Sequence, residues 1–234
     1  MDDVLATPLL NHFEQKFPES HFVRVDADVV EKLIAKDDLD QPMLTTDEKN
    51  ELSPIFQSVI PKERGQFIID FQNLGETGSP MVITQNEFMR RMKDMSKMQA
   101  GMSFYGEMPD SYNLVVNLSH PLVKKVMAEK ESQLSSELTK LRGELTKLND
   151  QKSSLEKLKE GKKEEEVPQE EKDLLNETRD NISKIETERR EKLEQFGAAS
   201  PLANQLVDLA FLANNMLKGE ALANFVKRSI ELIK

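Results

Sequence analysis

Apolar positions follow two different rhythms along this chain. Up to about residue 118 they come in short clusters broken by glycine, proline and acidic residues. "TPLLNHFEQKF" has helical spacing over Thr7 to Phe17, and His21 to Val25 reads as a strand, with "ADVVEKLIAK" helical after it. Thr46, followed by Asp47 and Glu48, predicts an N-cap and an acidic first turn for a helix running to about Val59. Pro61 and Gly65 close that helix, and "GQFIIDFQNLG" and "SPMVITQ" have the β-rich character of strands, with Gly75 and Gly78 in the turn between them. A methionine-rich helix from about Asn86 and a strand over Ser111 to Leu118 complete the segment. The order helix, strand, strand, helix, strand predicts an α+β fold, with helices on one face of a small mixed sheet.

Beyond residue 121 the rhythm lengthens. Leu134, Leu138, Leu141, Leu145 and Leu148 step by four and three, and the register resumes at Leu155, with Lys152 in the intervening slot. Such a seam predicts a coiled-coil helix over residues 122–160, roughly 58 Å long at 1.5 Å per residue. "GKKEEEVPQEE" interrupts it, and a second seam runs through Leu175, Thr178, Ile182, Ile185, Arg189, Leu193 and Phe196 until Gly197 to Ser200. Two seams of comparable length with a short polar connector favour a long antiparallel coiled-coil hairpin over pairing between chains.

The last segment carries two broad apolar faces. Leu202, Leu206, Leu209, Leu212 and Met216 mark one, with Ala213 and Leu217; Gly219 breaks the helix; Leu222, Phe225, Val226, Ile230 and Ile233 mark the other. Packing back onto the α+β domain would use part of this surface, and meeting a second copy would close a four-helix bundle. Leu202, Leu206, Leu209, Leu212, Met216, Leu222, Phe225, Val226 and Ile230 are therefore the candidate dimerisation residues. The chain divides on these patterns into residues 1–39, 40–126, 127–197 (the hairpin, expected to be a separable insertion) and 198–234. The first helix and strand cannot bury one another's apolar faces, so residues 1–39 read as the end of a preceding domain.

Composition narrows the function classes. The 234 residues carry a net charge of −10 with no segregated basic footprint, which argues against a nucleic-acid partner. There is no cysteine, so disulfides, thiolate zinc sites and cysteine nucleophiles are excluded, and a reducing, cytoplasmic setting fits. No apolar run is long enough to span a membrane. His12, His21 and His120 are far apart, and phosphate-cradling glycine loops and nucleophile elbows are missing. His120 precedes Pro121 at a helix start, where local capping is the expected role. No catalytic or metal site is expected.

Six of the 11 methionines lie between Met89 and Met108. On a helical wheel Phe88, Met92, Met95 and Met102 fall within about 80°, Met89 and Met98 widen the face, and Arg90, Lys93 and Lys97 hold the other side. Such a face suits either a core or an adaptable binding surface.

"NLVVNLSHPLVKKV" resembles the strand, asparagine, histidine and helix passage in the C-terminal domain of the ninety-kilodalton heat-shock chaperones. "LVDLAFLANNMLKGEALANFVKRSIELI" is similar to that family's last two helices, and "SPMVITQNEFMRRMKDM" to the strand and amphipathic helix before them. The likeness is to the bacterial form, over about residues 40–126 and 198–234, while residues 1–35 resemble the end of the middle domain. The insertion over 127–197 departs from the common pattern, and with no acidic tail motif among the 234 residues, tail-docking helical-repeat co-chaperones are not expected as partners. The resemblance implies a homodimer that contacts non-native client proteins through Met89, Met92, Met98 and Met102. It also implies that ATP and magnesium belong to an N-terminal domain outside this chain, which then needs no cofactor. The rival is a structural adaptor whose coiled coil binds one specific partner.

Overall fold

A computed structural model of the chain describes residues 6–20, 22, 44–85, 91, 111–159 and 168–233. Helix α1 (Ala6–Lys16) opens the chain, and α2 (Thr46–Gln57) begins the α+β segment. The N-cap of α2 is Thr45 rather than Thr46. Its hydroxyl accepts from the Glu48 amide while the Glu48 carboxylate accepts from the Thr45 amide, a capping box that needs glutamate three residues after the cap. The expected strand over His21 to Val25 and the helix after it lie outside the described residues, as does the methionine-rich helix except for Arg91.

Three strands form one mixed sheet, as the apolar clusters predict. Strands β1 (Gln66–Gln72), β2 (Met81–Gln85) and β3 (Ser111–Asn117) lie in the order β1-β3-β2, with β1 parallel and β2 antiparallel to the central β3. Register pairs Phe67 with Tyr112, Ile69 with Leu114 and Ile83 with Leu114, so Phe67, Ile69, Met81, Ile83, Leu114 and Val116 share one face. The helices cover that face.

The two seams form the expected antiparallel hairpin. Helix α3 (Pro121–Lys159) and helix α4 (Gln169–Ala199) pack together with Leu138, Leu141, Leu145 and Leu155 buried on one side. Leu175, Thr178, Leu193 and Phe196 are buried on the other. Glu156 pairs with Arg179 at 3.0 Å and Glu137 with Lys192 at 2.6 Å, so the partner's number rises as the residue number falls. That is the signature of two helices running in opposite directions.

One expectation changes. The hairpin's base shares the core of the α+β segment: Leu138, Leu193 and Phe196 pack in one cluster with Leu52, Ile55, Phe56 and the sheet residues. A boundary at residue 127 cuts through that core. Helix α4 ends at Ala199 with Ser200 as its C-cap, within the expected stop over Gly197 to Ser200. A Cβ on Gly197 would lie 2.1 Å from the Ile55 carbonyl oxygen and 2.5 Å from the Ser58 hydroxyl. Only glycine lets α4 and α2 approach this closely.

Ser200 caps the end of α4 and the start of α5 (Pro201–Ala213) together. Its amide donates to the Phe196 and Gly197 carbonyls while its hydroxyl accepts from the Ala203 amide, and Pro201 takes the first helical position. Helix α5 stops at Ala213, earlier than Gly219, with Asn215 in the left-handed region at φ 57°. Met216 therefore lies in the turn, and Gly219 precedes α6 (Glu220–Ile233).

Candidate functional site

Helix α5 is apolar on two opposite sides. Ala203, Leu206, Val207, Ala210 and Phe211, at i, i+3, i+4, i+7 and i+8, are buried against the sheet and the hairpin base. Phe211 meets the Phe67 ring edge-on at 5.4 Å, and Phe67 stacks on Tyr112 at 5.1 Å. The opposite stripe carries Gln205, Asp208, Leu209 and Leu212. Its polar members turn to α6: Gln205 donates to the Ser229 hydroxyl and Arg228 to the Asp208 carboxylate. These two bonds fix α6 antiparallel to α5, with Leu209 roughly level with Val226.

What stays outside is apolar. Leu209 is 40% exposed, Leu212 36%, Val226 48% and Ile230 55%. Leu222 and Phe225 pack instead on the core, with Leu202 and Met216, all four partly buried. Of the nine candidate dimerisation residues, Leu206 is 1% exposed and belongs to this chain's own core. Leu209, Leu212, Val226 and Ile230 form the free surface. Two neighbouring helices offering leucine, valine and isoleucine to solvent present what a second copy would cover.

A polar knot holds the turn between the strands. The Asn117 side chain is fully buried; its oxygen accepts from the Leu74 and Ser119 amides, and its nitrogen donates to the Gly75 and Ser79 carbonyls. Gly75, at φ 80°, and Gly78, where a Cβ would lie 2.5 Å from the Leu74 carbonyl oxygen, give the turn its shape. His120 Nδ1 accepts from the Leu122 amide at the start of α3, the capping role expected of it.

A second charged feature was not anticipated from the sequence. Glu51 on α2 is buried, and its carboxylate takes 2.7 and 2.8 Å bonds from the Arg142 guanidinium and a 3.0 Å bond from Lys130 Nζ. Burial by itself would raise the Glu51 pKa, but the bonds from Lys130 and Arg142 outweigh it and hold the carboxyl below its ordinary value. The Arg142 guanidinium is pushed up in turn by the hydrogen bond to Glu51. Both cations lie on α3, so this cluster pins the hairpin to α2. The signal is present in the sequence: Glu51 lies on the same stripe of α2 as Leu52, Ile55 and Phe56, where a carboxylate needs a partner.

The client-contact candidates Met89, Met92, Met98 and Met102 lie outside the described residues. Arg91 among them donates at 2.8 Å to Asn11 and to Glu14 on α1, and also to the Phe22 carbonyl. No cluster that could hold a metal ion occurs among the described residues, and no described helix is long and apolar enough to cross a membrane.

Comparison with known proteins gives one consistent result. All 234 residues align with the chaperone protein HtpG of Bacteroides fragilis at 46% identity. They align with HtpG of Bacteroides thetaiotaomicron at 42% and of Porphyromonas gingivalis at 39%. The chain is homologous throughout to the HtpG chaperones. These are the bacterial form of the heat-shock family that its motifs resemble, and the chain spans 34% of the length of each relative. No protein-family profile and no solved structure matches it.

Proposed function

We propose that this chain is the C-terminal, dimer-forming and client-contacting region of an ATP-driven, cytoplasmic chaperone. The alignment of every residue with HtpG carries this reading. The exposed faces of α5 and α6 support the dimer: four apolar side chains lie on two helices whose other sides are committed to the core. ATP and magnesium belong to a part of the relatives that this chain does not cover, so the chain binds neither. Met89, Met92, Met98 and Met102 remain the proposed client surface, since flexible thioethers repack around differing apolar segments.

The test uses the difference between exposed and buried leucines. Light scattering of the wild type gives the mass of two chains at micromolar concentration. Leu209→Glu with Val226→Glu gives a folded single chain, because both positions face outward before any partner arrives. A wild type that is monomeric at that concentration overturns the dimer. Suppression of client aggregation, lost in Met89→Glu with Met98→Glu at unchanged mass and melting temperature, supports the client surface; undiminished suppression refutes it.

A further inference from the structure

A cleft of about 810 Å³ opens beside the start of β1, apart from the dimer surface and the Glu51 cluster. Its rim includes Gln66, Phe67 and Ile68 in succession, with Ile60 at the end of the α2 segment and Glu191 and Glu194 on α4. Successive side chains of a strand point to opposite faces. A cleft bordered by three in a row therefore runs past the strand's side, not over one face.

Among the described residues that side is an open edge: β1 has β3 on one flank only. The Gln72 carbonyl accepts from the Leu118 amide on the β3 side, so the even-numbered residues of β1 bond to β3 and Phe67, Ile69 and Phe71 point their backbone groups outward. The outward Phe71 amide is capped by the neighbouring Asp70 carboxylate at 2.9 Å, and Gln72 holds the other Asp70 oxygen. Capping of this kind blunts an edge. The outward groups of Phe67 and Ile69 have no such cap among the described residues, and Phe67 borders the cleft. Ile68, 61% exposed, stands next to them.

Charge narrows the occupant. The α4 wall is acidic: among the described residues Glu191 has no ion-pair partner, and Glu194 has only Arg190 at 3.6 Å on the open helix surface. Lys62 stands on the opposite rim.

We propose that this cleft binds an extended polypeptide segment in which basic and apolar residues alternate. The segment adds to β1 at Phe67 and Ile69, with a basic side chain on Glu191 and Glu194 and an apolar one against the exposed Ile68. Backbone pairing at an open edge gives affinity for any extended chain, and the alternate side chains set preference. The inference deepens the client-contact reading and rests on it, but it uses a surface separate from the methionines and from α5 and α6.

The test is fluorescence anisotropy on the full chain with a labelled eight-residue peptide of alternating valine and lysine. Two controls accompany it: the valine-glutamate counterpart, and the first peptide N-methylated at every second residue. The valine-lysine peptide binds at least tenfold more tightly than either control. Glu191→Lys with Glu194→Lys, both on the helix surface, inverts the charge preference at unchanged mass and melting temperature. Equal binding of the N-methylated peptide refutes strand addition, and an unchanged preference in the double variant refutes the site. If the double variant changes the mass instead, a second copy of the chain occupies the cleft and the proposal fails. Failure of the dimer reading would show in the mass of the wild type, which these binding ratios leave untouched.

Discussion

Replacing Glu51 by glutamine removes the charge on which the hairpin anchor depends while keeping the side chain's size. The Lys130 side chain is only 10% exposed, and among the described residues its ammonium would keep only Glu131, at 3.5 Å and 60% exposed, as an anionic partner. The Arg142 side chain is 48% exposed and can turn to water, so its share of the loss is small. Breaking a buried pair from one side costs about 3–5 kcal/mol, and the freedom of Arg142 places Glu51→Gln near the low end, about 3 kcal/mol at neutral pH. Urea unfolding at fixed chain concentration measures it, since dimerisation would otherwise shift the midpoint.

The pH dependence supplies a second, independent check. The folded pKa of Glu51 lies below its ordinary value, so its contribution is complete above the unfolded value of about 4.3 and disappears as pH falls through the folded one. The stability gap between wild type and Glu51→Gln is therefore constant from pH 7 to about 5 and narrows below that. Glu48, held low chiefly by its bonds to Thr45, is present in both proteins, so the main part of its contribution cancels and only its repulsion by Glu51 differs. Glu51→Leu with Lys130→Met recovers most of the loss, because apolar replacement of a whole buried pair is often neutral. A gap under about 1 kcal/mol at pH 7, or one that stays constant into acid, refutes the anchor.

Gly197→Ala loses about 1–3 kcal/mol through the clash with the Ile55 carbonyl, whereas Gly143→Ala, with nothing within 4 Å of its new Cβ, is neutral or gains up to about 1 kcal/mol in thermal or urea unfolding. Shortening the hairpin by joining Leu148 to Asn181 through a glycine-serine linker leaves cooperative unfolding and dimer mass intact, because Leu138, Leu193, Phe196, Lys130 and Arg142 all remain. Joining Met127 to Ala198 instead strips those five residues from the core and from Glu51 and abolishes the cooperative transition; a folded product of that deletion would show the hairpin base to be dispensable.

The elements with the strongest local patterns are legible in the amino-acid sequence. Leucine steps of four and three survive as the buried seam of α3, and the apolar clusters ending at Gly75 and beginning after Gly78 survive as β1 and β2. Both patterns are read within one element, where spacing alone sets which side chains share a face. What is not legible depends on contacts between distant segments. Gly197 lies in the last turn of α4, as its position suggests, but nothing local shows that this turn packs against the Ile55 carbonyl, 142 positions earlier. The stripe that Glu51 shares with Leu52, Ile55 and Phe56 asks for a partner, but no local pattern names Lys130 and Arg142, which come from a helix 79 and 91 positions away.

The candidate interface shows the same limit in a sharper form. Leucine occupies positions 202, 206, 209 and 212 of α5, and the spacing marks all four without ranking them. A helix that is apolar on every side has no preferred inner face of its own, so its neighbours decide. Here the sheet decides. Phe67 and Tyr112 present a stacked pair of rings that Phe211 meets edge-on, and turning Phe211 inward brings Val207, Ala210, Ala203 and Leu206 with it. Leu209 and Leu212 are then outside by geometry, Leu212 between Gln205 and Asp208 around the helix and Leu209 on the far side of Gln205. The polar bonds between the two helices matter for the same reason. They align Val226 with Leu209 without covering either, so the two exposed stripes meet as one surface already formed in a single chain. A second copy can bury that surface without either chain reordering its helices, which removes a major entropic cost of association.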